Sequence, residues 1–119
     1  VMHLAILGAT GRSGRLVLQG ALGAGHTVAA LARNPNDLST HAGLRVVRGS
    51  AHDAGAVADA VRGADAVVLA LGHNRSSGGD VLAAGTRNAL SAMDAEGIRR
   101  IVALSGAGVR MPQDPPSLG

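Results

Sequence analysis

The chain has 119 residues, enough for one domain and too few for two. It has no Cys, Lys, Phe, Tyr or Trp, and all 11 basic residues are Arg. These absences exclude a disulfide framework, a thiolate nucleophile, a zinc ribbon, a P-loop lysine, a Tyr/Lys acid–base pair and an aromatic platform for single-stranded nucleic acid. The net charge of +3 is small, and no Arg run exceeds the pair Arg99-Arg100, so no nucleic-acid partner is expected.

Met2 to Leu7 is an apolar run stopped by Gly8, as in a buried parallel strand. Gly11 to Leu22 has helical spacing, with Leu16, Leu18 and Leu22 expected near one face. Thr27 to Ala32 predicts a second strand, broken at Arg33-Asn34-Pro35-Asn36, where Pro35 biases Asn34 away from helix. Leu44 to Val47 predicts a third strand. Asp53 to Val61 predicts a helix with Asp53 as N-cap. Ala64 to Leu71 predicts a fourth strand. Gly78 to Gly97 predicts a long Ala-rich helix with Leu82, Leu90 and Met93 toward the core. Arg100 to Ser105 predicts a fifth strand.

Strand–helix alternation of this kind predicts an α/β fold, a doubly wound parallel sheet with helices on both faces. A strand order of 3-2-1-4-5 opens a crevice between the first and fourth strands, at their carboxyl ends. Residues 1–109 are expected to form the domain. Residues 110–119 are expected to be a Pro-rich tail that starts a further C-terminal part. No apolar stretch reaches the length of a membrane span, and no signal-peptide pattern opens the chain, so a cytoplasmic protein with no membrane partner is expected.

The first turn carries the chemistry. Gly8, Gly11 and Gly14 follow the first strand and open the first helix. Their spacing is Gly-x-x-Gly-x-x-Gly. Gly8 permits a tight turn, Gly11 lets backbone approach a pyrophosphate, and Gly14 lets helix and strand pack closely. Free N–H groups at a helix N-terminus favour an anion. Thr10 and Ser13 add hydroxyls, so the segment predicts a dinucleotide site. An NAD-selective site usually places Asp or Glu after the second strand. This chain has Arg33 there, and Arg12 in the loop. A guanidinium clamps a 2′-phosphate that a carboxylate would repel, which favours NADP over NAD.

Gly8-Ala-Thr-Gly-Arg-Ser-Gly14, Leu31-Ala-Arg-Asn-Pro35, Thr86-Arg-Asn88 and Arg100-Ile-Val-Ala-Leu-Ser-Gly-Ala-Gly108 together resemble the atypical short-chain dehydrogenase/reductase proteins. In particular the chain is similar to the NAD(P)H-binding group that includes the NmrA-like proteins and the biliverdin reductase B/flavin reductase family. The resemblance runs from Met2 to about Val109. It implies a Rossmann-like domain binding NADP(H). It implies that Gly8, Thr10, Gly11, Arg12, Ser13 and Gly14 hold the phosphates, and that Arg33 meets the 2′-phosphate. Gly49-Ser50-Ala51 would lie by the adenine, Leu71-Gly72-His73 beside the middle of the cofactor, and Ser105 near the nicotinamide. The family usually has Asp where this chain has Ser50, with Asp53 a nearby substitute. Its nicotinamide-side serine falls on Gly106, with Ser105 preceding it.

Other candidates are Ser105 as hydrogen-bond donor to a substrate carbonyl, His73 as proton donor and Arg75 as a phosphate contact. Asn88 is expected to tie helix to strand. Asp53, Asp59 and Asp65 are expected to be a cap and solvated positions. The scattered His3, His26, His41 and His52 predict no metal site. Two functions follow as expectations. One is hydride transfer from NADPH to a small-molecule acceptor, a flavin, quinone or similar conjugated compound. The other is a non-catalytic NmrA-like sensor that acts through a partner protein. A sugar-nucleotide epimerase fragment would need the missing Tyr/Lys pair.

Overall fold

The computed structural model describes residues 1–39, 41–70 and 80–103, with the side chains of 80–82 excepted. In chain order the elements are β1 (His3–Leu7), α1 (Arg12–Gly23), β2 (Thr27–Ala32), a single 3₁₀ turn (Pro35–Asp37), β3 (Leu44–Arg48), α2 (Ala54–Val61), β4 (Ala66–Leu69), α3 (Asp80–Glu96) and β5 (Ile101–Ala103). The strands form one sheet in the order β3-β2-β1-β4-β5. Every neighbouring pair is parallel. The expected fold is therefore observed: a Rossmann-like doubly wound sheet with helices on both faces.

Two cores sandwich the sheet. On one face Ile6, Val28, Ala30 and Val68 meet Leu18 and Ala21 of α1. On the other, Leu7, Leu31, Val47, Val67 and Leu69 meet Val57 and Val61 of α2 and Ala89 and Met93 of α3. With no Phe, Tyr or Trp in the chain, small and branched aliphatics together with Met93 do this filling. Ala5, Ala29 and Ala60 are fully buried. Their small size lets helices lie close to the sheet, where close packing recovers dispersion contacts that larger side chains would otherwise supply.

Two helix faces differ from expectation. On α1, Gly14, Leu18 and Ala21 are buried, Leu22 is half-buried, and Leu16 is 66% exposed. The inward row follows i, i+4, i+7, and Leu16 lies about 200° from Leu18 around the axis. On α3, Met93 is buried as expected, with Ala89 and Ala92, while Leu90 is 50% exposed. Leu82 lies outside the described side chains. In both helices alanine or glycine occupies the close-packed row, and leucine identity misdirects the assignment. The fourth strand is also shorter at its start: Arg62 and Gly63 form the turn after α2, and Ala64 and Asp65 lead from it into β4. The N–H of Ala64 donates to Val61 O at 3.0 Å.

Asp53 caps α2 as expected, its Oδ1 accepting from the N–H of Gly55 at 3.0 Å and of Ala56 at 3.2 Å. The other two aspartates do more than sit in solvent. Asp59 pairs with Arg62 at 3.1 Å and Arg45 at 3.8 Å. Asp65 accepts the N–H of His3 at 2.8 Å, joining the amino ends of β4 and β1. Among the described residues no helix is long and apolar enough to cross a membrane.

Candidate functional site at the carboxyl edge of the sheet

β1 and β4 are hydrogen-bonded neighbours, yet α1 follows β1 on one face and α2 precedes β4 on the other. The order in which strands are added reverses at this point, while all strands stay parallel, which leaves a crevice over their carboxyl ends. The glycine loop fills one side of it. Gly8 has φ +91°, a left-handed conformation that an L side chain resists. The N–H of Gly11 donates to Gly8 O at 3.1 Å and closes the turn.

The other two glycines differ in physical role. A Cβ on Gly14 would overlap the Gly8 carbonyl oxygen and lie 2.7 Å from its carbon and 2.8 Å from Ala9 Cα. Glycine there lets α1 start directly against the turn. At Gly11 a Cβ would meet only Gly8 O, at 3.5 Å, an ordinary contact. Gly11 has φ −78°, which suits any residue. Neither backbone nor packing requires glycine at 11. The exposed space it leaves lies at the start of α1. No side chain caps that end, so the first-turn N–H groups point outward without an intrahelical acceptor.

Thr10 and Ser13 are half-buried in the same loop, and Arg12 is exposed. Arg15, one turn into α1, donates from Nε to Thr10 O at 2.9 Å and so holds the loop's carbonyl. Sequence reasoning missed this clamp, although an Arg one helical turn after the N-cap is the available signal. Arg33 follows β2 directly and is exposed. The next acid in the chain, Asp37, stands beyond Asn34, Pro35 and Asn36. Asn34 Oδ1 accepts the N–H of Asn36 at 3.1 Å, which fixes the turn behind Arg33.

The loop after β3 is held by its own hydrogen bonds. Ser50 Oγ accepts the N–H of His52 at 3.1 Å, and Ser50 O accepts the N–H of Asp53 at 2.9 Å. Buried Ala51 belongs to the core under α2 and α3, and its carbonyl accepts Asn88 Nδ2 of α3 at 2.8 Å. Asn88 thus ties helix to loop rather than reaching toward chemistry, close to the expected role. Asp53 Oδ1 is engaged at the start of α2. Leu71, Gly72, His73, Arg75, Ser105 and Gly106 lie outside the described residues. Among the described residues no group of three or more His, Cys, Asp or Glu side chains is placed to hold a metal ion.

A family model described as NAD(P)H-binding matches residues 8–118. The chain belongs to this NAD(P)H-binding family. Solved structures extend the match. A short-chain dehydrogenase/reductase superfamily protein of Agrobacterium tumefaciens with bound NAD shares 29% identity at a TM-score of 0.72, covering 87% of this chain and 32% of that one. A Burkholderia pseudomallei protein described as exported shares 30% identity at a TM-score of 0.70, covering 91% and 50%. Uronate dehydrogenase of Agrobacterium tumefaciens complexed with NAD shares 25% identity at a TM-score of 0.70, covering 87% and 40%. The chain thus spans between 32% and 50% of the length of these structures. Its NAD(P)H-binding family and short-chain dehydrogenase/reductase fold agree with the resemblance read from the sequence.

Proposed function

We propose that this domain binds NADP(H) and serves an oxidoreductase passing hydride from NADPH to a flavin, quinone or similar conjugated acceptor. The observation that carries the binding mode is Gly11. Its glycine answers no need of the fold, and a ligand backbone approaching the helix start is what needs the room. In this reading the N–H groups of Arg12 and Ser13 meet the pyrophosphate, and the dipole of α1 adds to them. Arg33 clamps the ribose 2′-phosphate, where an acid would select NAD. Ser50 and Ala51 line the adenine side, held in shape by Asn88. Bound NADPH supplies the hydride; the protein's part is position and electrostatics. Hydride delivery of this kind needs little acid–base help, so a chain without Tyr or Lys is compatible with it.

A second reading is a dinucleotide sensor that acts through a partner protein without turnover. One titration separates the two. NADPH and NADH are added and reduced-nicotinamide fluorescence is followed, in a chain that has no Trp background. FMN, riboflavin or a quinone is then added while the near-ultraviolet absorbance of the cofactor is monitored. Binding with loss of absorbance supports the reductase, and tight binding without loss supports the sensor. Absence of binding overturns both. Arg33→Ala is expected to weaken NADPH by about tenfold or more while leaving NADH nearly unchanged. Equal weakening of the two would remove the 2′-phosphate assignment.

A further inference from the structure

β3 presents two faces whose directions are fixed by their neighbours. Arg45 donates to Asp59 O in α2 at 3.1 Å, and Val47 is buried with Val57 and Val61, so these positions face α2. Leu44 packs into the cluster that holds Leu18 and Ala21, so its parity faces α1. Side chains alternate along a strand. Arg48 therefore projects on the α1 side, at the last residue before the sheet's carboxyl edge.

Its place in the ladder is equally defined. Arg48 is the register partner of Ala32, and Gly49 N–H donates to Ala32 O at 3.0 Å. Neighbouring strands lie about 4.8 Å apart, so Arg48 stands across one strand gap from the residue that precedes Arg33. Both arginines are exposed, and neither has a carboxylate partner among the described residues. Arg45, three positions back on β3, does have one in Asp59, shared with Arg62. The acid that follows β3, Asp53, is engaged at the start of α2. Arg33, one position past the partner of Arg48, and Arg48 itself close adjacent strand ends, and each guanidinium offers a phosphate dianion forked hydrogen bonds.

We propose that Arg48 is a second specificity residue for the 2′-phosphate of NADP(H), acting with Arg33 from the neighbouring strand end. This rests on the NADP(H) reading given above. Arg33 and Arg48 hold the phosphomonoester from two sides, and the preference for NADP(H) over NAD(H) is shared between them.

The test uses the full 119-residue chain and calorimetric titration with adenosine 2′,5′-bisphosphate and adenosine 5′-monophosphate. Arg48→Gln is expected to weaken the bisphosphate about tenfold and leave the monophosphate unchanged, and Arg48→Lys to recover part of the loss. Thermal unfolding of each variant shows that the fold is retained. If Arg48→Gln binds the bisphosphate as the unaltered chain does while Arg33→Gln does not, the role of Arg48 is overturned and the NADP(H) reading stands. If Arg48→Gln weakens both nucleotides equally, the specificity role is also overturned. If the unaltered chain shows no preference for the bisphosphate, the NADP(H) reading falls and the proposal falls with it.

Discussion

Gly11 and Gly14 sit three residues apart in one motif, yet they answer to different constraints. Gly14 is demanded by the fold, because any Cβ there strikes the Gly8 carbonyl. Gly14→Ala is expected to cost about 3 kcal/mol, since the turn and helix must separate, and denaturant unfolding measures it. Gly11→Ala meets nothing closer than 3.5 Å, so its stability should change by less than about 1 kcal/mol. Its NADPH affinity should fall about tenfold or more, because the new methyl occupies the space in front of the helix start. A Gly11→Ala chain that binds NADPH normally would show that the pyrophosphate lies elsewhere. The motif was legible in the sequence. The division of labour within it was not, because spacing alone does not say which glycine faces protein and which faces open space.

At the scale of elements, the helices illustrate what small residues hide. Leucines are the obvious core candidates in α1, but the inward row is Gly14, Leu18 and Ala21. Leu16 instead faces solvent at 66% exposure. Leu18→Ala should cost about 3 kcal/mol by opening a cavity in the core that faces α1. Leu16→Ala should stay within about 0.5 kcal/mol. Thermal melts of the two variants, compared side by side, check the assignment, and equal losses would contradict it. α2 was more transparent. An Asp followed by a short apolar-periodic run marks a helix start, and Asp53 makes the two capping bonds that such a start requires. Asn88 shows the opposite case. An amide inside a helix has many possible partners, and only the packing of α3 beside the loop after β3 selected Ala51 O.

For the whole molecule, the sheet order gathers the glycine loop, Arg33, Arg48 and the Ser50–Ala51 turn at one edge, although they span more than a third of the chain. Ligand bound at that edge bridges β1, α1, β2 and β3. NADPH should therefore raise the unfolding temperature of the entire domain as one cooperative unit. At a free concentration one hundred times Kd the gain is about 2.7 kcal/mol, a rise of several degrees for a domain of this size. NADH at the same concentration should give a smaller rise. Differential scanning calorimetry reads both, and equal shifts would count against the arginines as selectors of the 2′-phosphate.

The residue order alone determined the alternation of strands and helices, the parallel sheet and its order, the glycine loop, the break at Pro35 and the arginine after β2. All but the sheet are local, a periodicity, a turn residue or a spacing that acts within a few positions; the parallel sheet and its order follow from the right-handed crossovers that strand–helix alternation requires. The tertiary structure decided which faces pack, because small residues become core only when a neighbour lies against them. It decided that Asp53 is committed to a helix end and Arg15 to the loop carbonyl. It also brought Arg48 alongside the end of β2, since register between strands is set by the ladder of backbone hydrogen bonds and the burial of both faces, and neither is written at any single position in the chain.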